Sequence, residues 1–142
     1  MTRLSVLDST GICLIDSVIK PLSTVLDLNT IFSGITTQCM ANATETLESI
    51  TAKFKTLANS DTILVGHGLE NDLKALRLIH MRVIDTAQVF PHERGFPNRN
   101  SLKFLARTIL DMDIQNSEGG HDSTQDAETC LLLLIHKIKS VQ

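Results

Sequence analysis

The sequence predicts an α/β domain. Three observations lead to this prediction: short runs of aliphatic and β-branched residues, apolar residues at helical spacing, and an order in which a hairpin precedes alternating helices and strands. The chain has 142 residues, which fits one domain, and its 42% apolar content is enough for a core. We therefore expect residues 1–142 to form a single domain.

The first element is predicted to be a β-hairpin. Residues 4–7 and 12–19 are rich in aliphatic and β-branched side chains, and the turn formers of residues 8–11 separate them. Pro21 closes the second strand. Residues 27–43 hold turn formers and one short helical piece at most.

An amphipathic helix is predicted next, because apolar residues recur there at spacings of three and four: Leu47, Ile50, Phe54 and Leu57. Asn42 with Glu45 three residues later predicts a capping box for this helix, and Thr44 is an alternative cap.

Residues 62–66 form a continuous apolar run, which predicts a strand buried on both faces. A short strand over residues 82–85 and a loop over residues 86–100 follow. Between the two strands lies a predicted helix with these residues facing inward: Leu69, Leu73, Leu76 and Ile79.

Two further helices complete the order. Ser101 is predicted to cap a helix that buries Leu102, Leu105 and Ile109, and Gly119-Gly120 breaks the chain after it. The last helix is predicted to face the core with these residues: Ala127, Leu131, Leu134, Ile135 and Ile138.

Composition excludes several classes of protein. The net charge of −3 gives no overall basic footprint for nucleic acid, although basic residues gather at 94–107. Three widely spaced cysteines indicate neither a disulfide framework nor a structural zinc site. No secretory leader is expected, and the longest apolar run, residues 131–135, is too short to span a membrane.

Asp72 is the first candidate for a functional residue. It lies in the first turn of a predicted helix, just past the end of a strand, where α/β sheets commonly bind ligands. The alternative is an acidic residue that only stabilises the helix N-terminus.

His121 and Asp126 are the second candidates, in the approach to the last helix and one turn into it. The alternative is a capping box of Ser123 with Asp126, with His121 as a surface residue. Taken with Asp72, they suit phosphodiester hydrolysis, in which carboxylates hold divalent cations and a neutral histidine takes a proton from water.

At this point the motifs resemble a known family. Residues 62–73 (TILVGHGLENDL), 83–86 (VIDT), 101–103 (SLK) and His121 followed after four residues by Asp126-Ala127 are similar, in this order, to the Rex-type RNA exonucleases of the DEDDh branch. Residues 32–36 (FSGIT) match a further segment of that family. The resemblance runs from about residue 4 to residue 139.

The resemblance implies a ribonuclease H-like mixed sheet flanked by helices and a 3′→5′ exoribonuclease that acts on RNA 3′ ends with Mg²⁺ or Mn²⁺. It gives Asp72 and Asp126 the role of metal ligands and His121 that of general base. The nucleic-acid path would include residues from three segments: Ser33, Gly34, Ile35, Thr36, His67 and Ser101. RNA processing implies a nuclear location, with the cytoplasm as the alternative.

One departure from the family is large. Its first motif, an Asp-x-Glu on the first and central strand, is absent from any strand-like segment here, so we expect a truncated exonuclease domain with that strand missing. A truncated gene model or splice form is favoured over a rearranged inactive relative and over a strand supplied by a partner. The alternative function is a catalytically inactive exonuclease-like fold that binds RNA or protein.

Overall fold

The structure is a computed structural model, and it describes residues 2–20, 37–115 and 121–142. Within these ranges the chain forms four strands and six helices in an α/β order. They are β1 (Arg3–Leu7), β2 (Cys13–Val18), α1 (Thr37–Ala41), α2 (Leu47–Leu57), β3 (Leu64–Gly66), α3 (Leu69–Ala75), β4 (Val83–Asp85), α4 (Thr86–Val89), α5 (Leu102–Leu110) and α6 (Ser123–Ser140).

The predicted hairpin is confirmed. Strands β1 and β2 are antiparallel, and Arg3 lies opposite Val18. The Asp8 carboxylate organises the turn by accepting hydrogen bonds from the backbone N–H groups of Thr10 (2.8 Å) and Ile12 (3.0 Å). The Asp8 side chain thus provides hydrogen-bond acceptors for backbone N–H groups of the turn.

Strands β3 and β4 form a separate parallel pair, in which Leu64 lies opposite Val83 and Gly66 opposite Asp85. Among the residues that the structure describes, no strand pairing joins this sheet to the hairpin. Helix α6 packs against both β1 and β3. Strand β3 is shorter than predicted and only partly buried, since Ile63 is 56% exposed and lies outside it.

The buried apolar residues fall into two clusters. One lies between α5 and α6 and contains Leu102, Leu105, Ala106, Ile114, Cys130 and Leu133. The other lies under β2, α2 and the end of α3 and contains Ile15, Ile19, Ile50, Phe54 and Leu76. The predicted inward positions of α2 and α5 agree with these clusters except for Leu57, at the end of α2, which is 43% exposed.

The predicted cap of α2 was wrong. Neither Asn42 nor Thr44 caps the helix; the N-cap is Thr46, whose hydroxyl accepts from the Ser49 N–H while the Ser49 hydroxyl accepts from the Thr46 N–H. The helix begins later because Glu45 is in a β-bridge with the end of β2. Several residues before the helix could have capped it, and the bridge at Glu45 determines that Thr46 does so.

The end of α3 also differs from the prediction. The helix stops at Ala75, and Arg77 adopts a left-handed conformation with φ of 54°. Leu76 is buried as expected, but Ile79 is 94% exposed because it lies past this turn. The predicted loop of residues 86–100 likewise begins with the short helix α4.

Helix α6 presents a different face from the predicted one. Its buried residues are Thr129, Cys130 and Leu133, whereas Ile135 and Ile138 are 36% and 48% exposed. The predicted break at residues 119–120 lies outside the described residues. No helix in the described ranges is both long enough and apolar enough to cross a bilayer.

Candidate active site

The junction between β4 and α4 fixes the start of α3. The Asp85 carboxylate accepts hydrogen bonds from the backbone N–H groups of Gly68 (2.9 Å), Leu69 (3.1 Å) and Ala87 (2.9 Å). Gly68, the N-cap of α3, offers no side chain, so Asp85 supplies the cap from another strand. One nearly buried carboxylate thus joins the first turns of two helices.

The turn from β3 into α3 is tightly packed. A Cβ atom added at Gly66 would lie 2.6 Å from Leu69 Cδ2 and 2.7 Å from Leu69 Cγ. Because glycine leaves this space open, the Leu69 side chain packs directly onto the end of β3. The direction of α3, and with it the position of Asp72, is set here.

Asp72 lies half-buried in the first turn of α3. Burial raises the pKa of its carboxyl group above the ordinary range, and the negative charge of Asp85 raises it further. A carboxylate in such a place is stabilised by a nearby cation more than an exposed carboxylate would be.

Asp126 lies half-buried in the first turn of α6. Its Oδ1 atom accepts a hydrogen bond from the side-chain amide of Gln115 at 2.9 Å. Burial raises the pKa of the Asp126 carboxyl group, while the Gln115 hydrogen bond and the positive charge of His121 act to lower it. The charge of His121 therefore acts on the Asp126 carboxylate.

Helix α6 is capped by Asp122, whose carboxylate accepts from the Thr124 N–H at 3.0 Å. The alternative prediction of a capping box that starts at Ser123 was therefore wrong.

His67 connects β3 to the start of α4. Its Nδ1 atom lies 2.9 Å from the Thr86 hydroxyl, which donates to the Gly66 carbonyl at 3.0 Å. Burial lowers the pKa of His67, whereas the charges of Asp85 and Asp126 raise it. His67 is therefore part of a partly buried hydrogen-bond network on which the charges of Asp85 and Asp126 act.

The segment before α5 lies close to α3. Arg99 forms an ion pair with Glu70 at 2.9 Å, and Ser101 caps α5 by accepting from the Phe104 N–H at 3.2 Å, as predicted. The proposed path residues Ser33, Gly34, Ile35 and Thr36 lie outside the described residues. Of the path residues, His67 and Ser101 can therefore be placed.

The buried Cys130 thiol is affected by the charges of three aspartates. Cys130 lies one turn after Asp126 on α6 and is 3% exposed. Burial raises the pKa of its thiol to about 12, and the negative charges of Asp126, Asp85 and Asp72 contribute in the same direction. The charges of Asp72 and Asp126, which are 54 positions apart in sequence, therefore both disfavour ionisation of this thiol.

A divalent cation at this site would need oxygen ligands from several groups. In the described ranges no group of three or more His, Cys, Asp or Glu side chains converges. Mg²⁺ is commonly held by one or two carboxylates together with substrate phosphates and water. Asp72 and Asp126 fit such a partial ligand set, and a pair of cations would need further oxygen ligands.

Two residues that position this site were not singled out from the sequence as functional. Asp85 lies in the VIDT segment that carries the family resemblance, but its capping role was not visible because a loop rather than a helix was predicted after it. Gln115 carried no signal: nothing in its neighbours indicates that its side chain reaches Asp126.

Comparisons with known proteins show the family of this chain. The sequence profile of the RNase_T exonuclease family matches residues 3–134. RNA exonuclease 3 of Schizosaccharomyces pombe is 48% identical over 141 residues, which are 99% of this chain and 26% of that protein. The human RNA exonuclease 1 homolog is 40% identical over 139 residues, 98% of this chain and 11% of that protein. The chain thus spans 26% of the length of the first relative and 11% of the second.

Solved structures show the same fold. The catalytic unit of Neurospora crassa Pan2 superposes with a TM-score of 0.86 at 30% identity, covering 99% of this chain and 24% of that one. A Saccharomyces cerevisiae Pan2 module in complex with A7 RNA gives 0.84 at 27% identity, covering 97% and 24%. The predicted ribonuclease H-like α/β fold is therefore confirmed, and the chain belongs to the RNase_T exonuclease family, among the Rex-type RNA exonucleases.

Proposed function

We propose that this chain is a 3′→5′ exoribonuclease domain that hydrolyses phosphodiester bonds at RNA 3′ ends with Mg²⁺ or Mn²⁺. The observation that carries the proposal is the placement of two half-buried carboxylates, Asp72 in the first turn of α3 and Asp126 in the first turn of α6, with the charge of His121 acting on Asp126. The family match over residues 3–134 supports exonuclease activity in this domain.

The two carboxylates bind the cation. Burial raises the pKa of both, so their ionised forms are poorly solvated in the folded chain. Bound Mg²⁺ or Mn²⁺ would offset this unfavourable solvation and would stabilise the charge that develops on the scissile phosphate. Asp72 on α3 and Asp126 on α6 are the residues that would hold the cation.

His121 accepts the proton of the attacking water. It is positioned by the segment that leads into α6, and its charge acts on Asp126. A neutral imidazole can take up a proton near neutral pH, which is the requirement for a general base. In this proposal Asp126 therefore holds the cation and also stabilises the imidazolium that forms.

RNA is proposed as the substrate because the relatives carry the name RNA exonuclease and the Pan2 modules were solved with RNA. The chain has a net charge of −3, so bound divalent cations and local arginines have to attract the RNA phosphates. Arg99 is one such local charge. It forms an ion pair with Glu70, which lies two positions before Asp72.

The test uses single-stranded RNA labelled at its 5′ end, incubated with this chain and Mg²⁺. We expect a ladder that shortens from the 3′ end and depends on the cation. His121→Ala should slow degradation by about 10²–10⁴-fold, the usual contribution of a general base. His136→Ala is the matched control, since His136 is exposed on α6, and it should degrade RNA at the wild-type rate.

A second function is favoured by one observation: no third acidic or histidine ligand joins Asp72 and Asp126 in the described ranges. It is an inactive exonuclease fold that binds RNA or protein. RNA binding by the wild-type chain without any Mg²⁺-dependent degradation would support it. If a longer form with an Asp-x-Glu strand before β1 then degraded RNA, the complete domain would be an enzyme and this chain an inactive part of it.

A further inference from the structure

The Asp126 carboxylate has a defined hydrogen-bond donor that lies outside α6. The side-chain Nε2 of Gln115 donates to Asp126 Oδ1 at 2.9 Å, across eleven positions of sequence. Both side chains are partly buried, so the bond is shielded from the water that would otherwise compete with it.

Gln115 is itself held in place by its backbone. Its φ of 60° lies in the left-handed region, and the preceding Ile114 is 1% exposed within the cluster between α5 and α6. The Gln115 N–H also donates to the side-chain oxygen of Gln125 at 3.3 Å. The amide group therefore reaches Asp126 from a fixed point on the core.

From this geometry we propose that Gln115 is a positioning residue for Asp126. It holds Oδ1 and so sets the side-chain rotamer of the carboxylate that would hold the divalent cation. This inference rests on the proposed function only for the cation; the fixed orientation of Asp126 stands on the observed contact.

The chemistry of an amide suits this task. An amide N–H satisfies one carboxylate oxygen without adding positive charge, so Asp126 keeps the full negative charge that a cation requires. A lysine at position 115 would orient Asp126 equally well but would compete with the cation. Groups that hydrogen-bond to metal-binding carboxylates typically change metal affinity by about 10–100-fold when they are removed.

The principal variant is Gln115→Met, which keeps the length of the side chain and removes the donor. Gln115→Gly is the second variant: it also removes the donor but relaxes the left-handed backbone, so an effect common to both belongs to the side chain. Gln88→Met is the matched control, because Gln88 is exposed on α4.

The first measurement uses the chain without metal. Three-bond NMR couplings from Asp126 Cγ to its backbone nitrogen and carbonyl carbon report the χ1 rotamer. We expect one rotamer in the wild type and in Gln88→Met, and averaging between rotamers in both Gln115 variants. A single unchanged rotamer in Gln115→Met and Gln115→Gly would overturn the proposal.

The second measurement is Mn²⁺ binding, followed by the loss of the free-ion signal in electron paramagnetic resonance. The dissociation constant should rise by about 10–100-fold in both Gln115 variants and stay within about twofold in Gln88→Met. Equal affinity in wild type and Gln115→Met would refute the role toward the cation. If the wild type bound no Mn²⁺ while the rotamer still averaged in the variants, the proposed function would fail and the positioning of Asp126 would stand.

Discussion

Replacing Asp85 by alanine tests how much one buried carboxylate stabilises the fold by capping both α3 and α4. Asp85 is 7% exposed and accepts from the backbone N–H groups of Gly68, Leu69 and Ala87. In Asp85→Ala all three donors lose their acceptor at once. Both α3 and α4 then begin without a cap.

The magnitude follows from these three bonds. A buried donor left without a partner costs about 1–3 kcal/mol, and water that enters the space vacated by the carboxylate recovers part of that. We expect the free energy of unfolding to fall by about 3–5 kcal/mol, a large share of the 5–15 kcal/mol typical of a domain. Asp85→Asn, which keeps one acceptor oxygen, should lose less.

The measurement is urea unfolding at equilibrium, followed by circular dichroism. Asp8→Ala is the control, because Asp8 also accepts from backbone N–H groups but does so in the exposed hairpin turn, where water can replace it. Asp85→Ala should shift the urea midpoint far more than Asp8→Ala. Equal shifts for the two variants would refute the argument that burial makes Asp85 important.

Three further outcomes are expected. Gly66→Ala should lower the free energy of unfolding by about 1–3 kcal/mol, because the new methyl group overlaps Leu69; an unchanged urea midpoint would contradict this. Asp72→Asn should raise the thermal midpoint of the metal-free chain at pH 7. The Asp72 pKa is raised in the fold, so its contribution to stability declines as pH rises from the ordinary value of 3.8 through the raised value, and the amide removes that decline. At pH 8 iodoacetamide should modify the two exposed cysteines but not Cys130, whose pKa is about 12, until the chain is unfolded; mass spectrometry of the native and urea-treated chain decides.

The elements with a repeating apolar pattern were predictable from the sequence, and their ends were not. The stripe of α2 identified the helix correctly, yet its cap moved to Thr46 because Glu45 pairs with the end of β2. In α6, Ile135 and Ile138 continue the apolar pattern on a face of the helix that the core does not cover. Periodicity shows which residues can be buried, whereas the packing of the neighbouring elements decides which ones are.

The candidate site divides in the same way. Asp72, His121 and Asp126 were predicted as site residues because carboxylates and a histidine lie in motifs with a fixed order and spacing. Gln115 could not be found, since it acts through a tertiary hydrogen bond and a left-handed backbone that no local pattern encodes. The groups that hold the reactive residues in place are therefore the part for which a structure was needed.

The docking of α6 also has a consequence for folding kinetics. This helix packs against β1, β3, α4 and α5, and the side chain of its Ser123 meets Ser5 across 118 positions of sequence. Such distant contacts form slowly, because a long loop has to close before they stabilise the chain. The hairpin can form early, but Asp126 joins Asp72 only in the step that docks α6. Hydrogen exchange of the α6 amides and loss of the site should therefore occur in the same opening event.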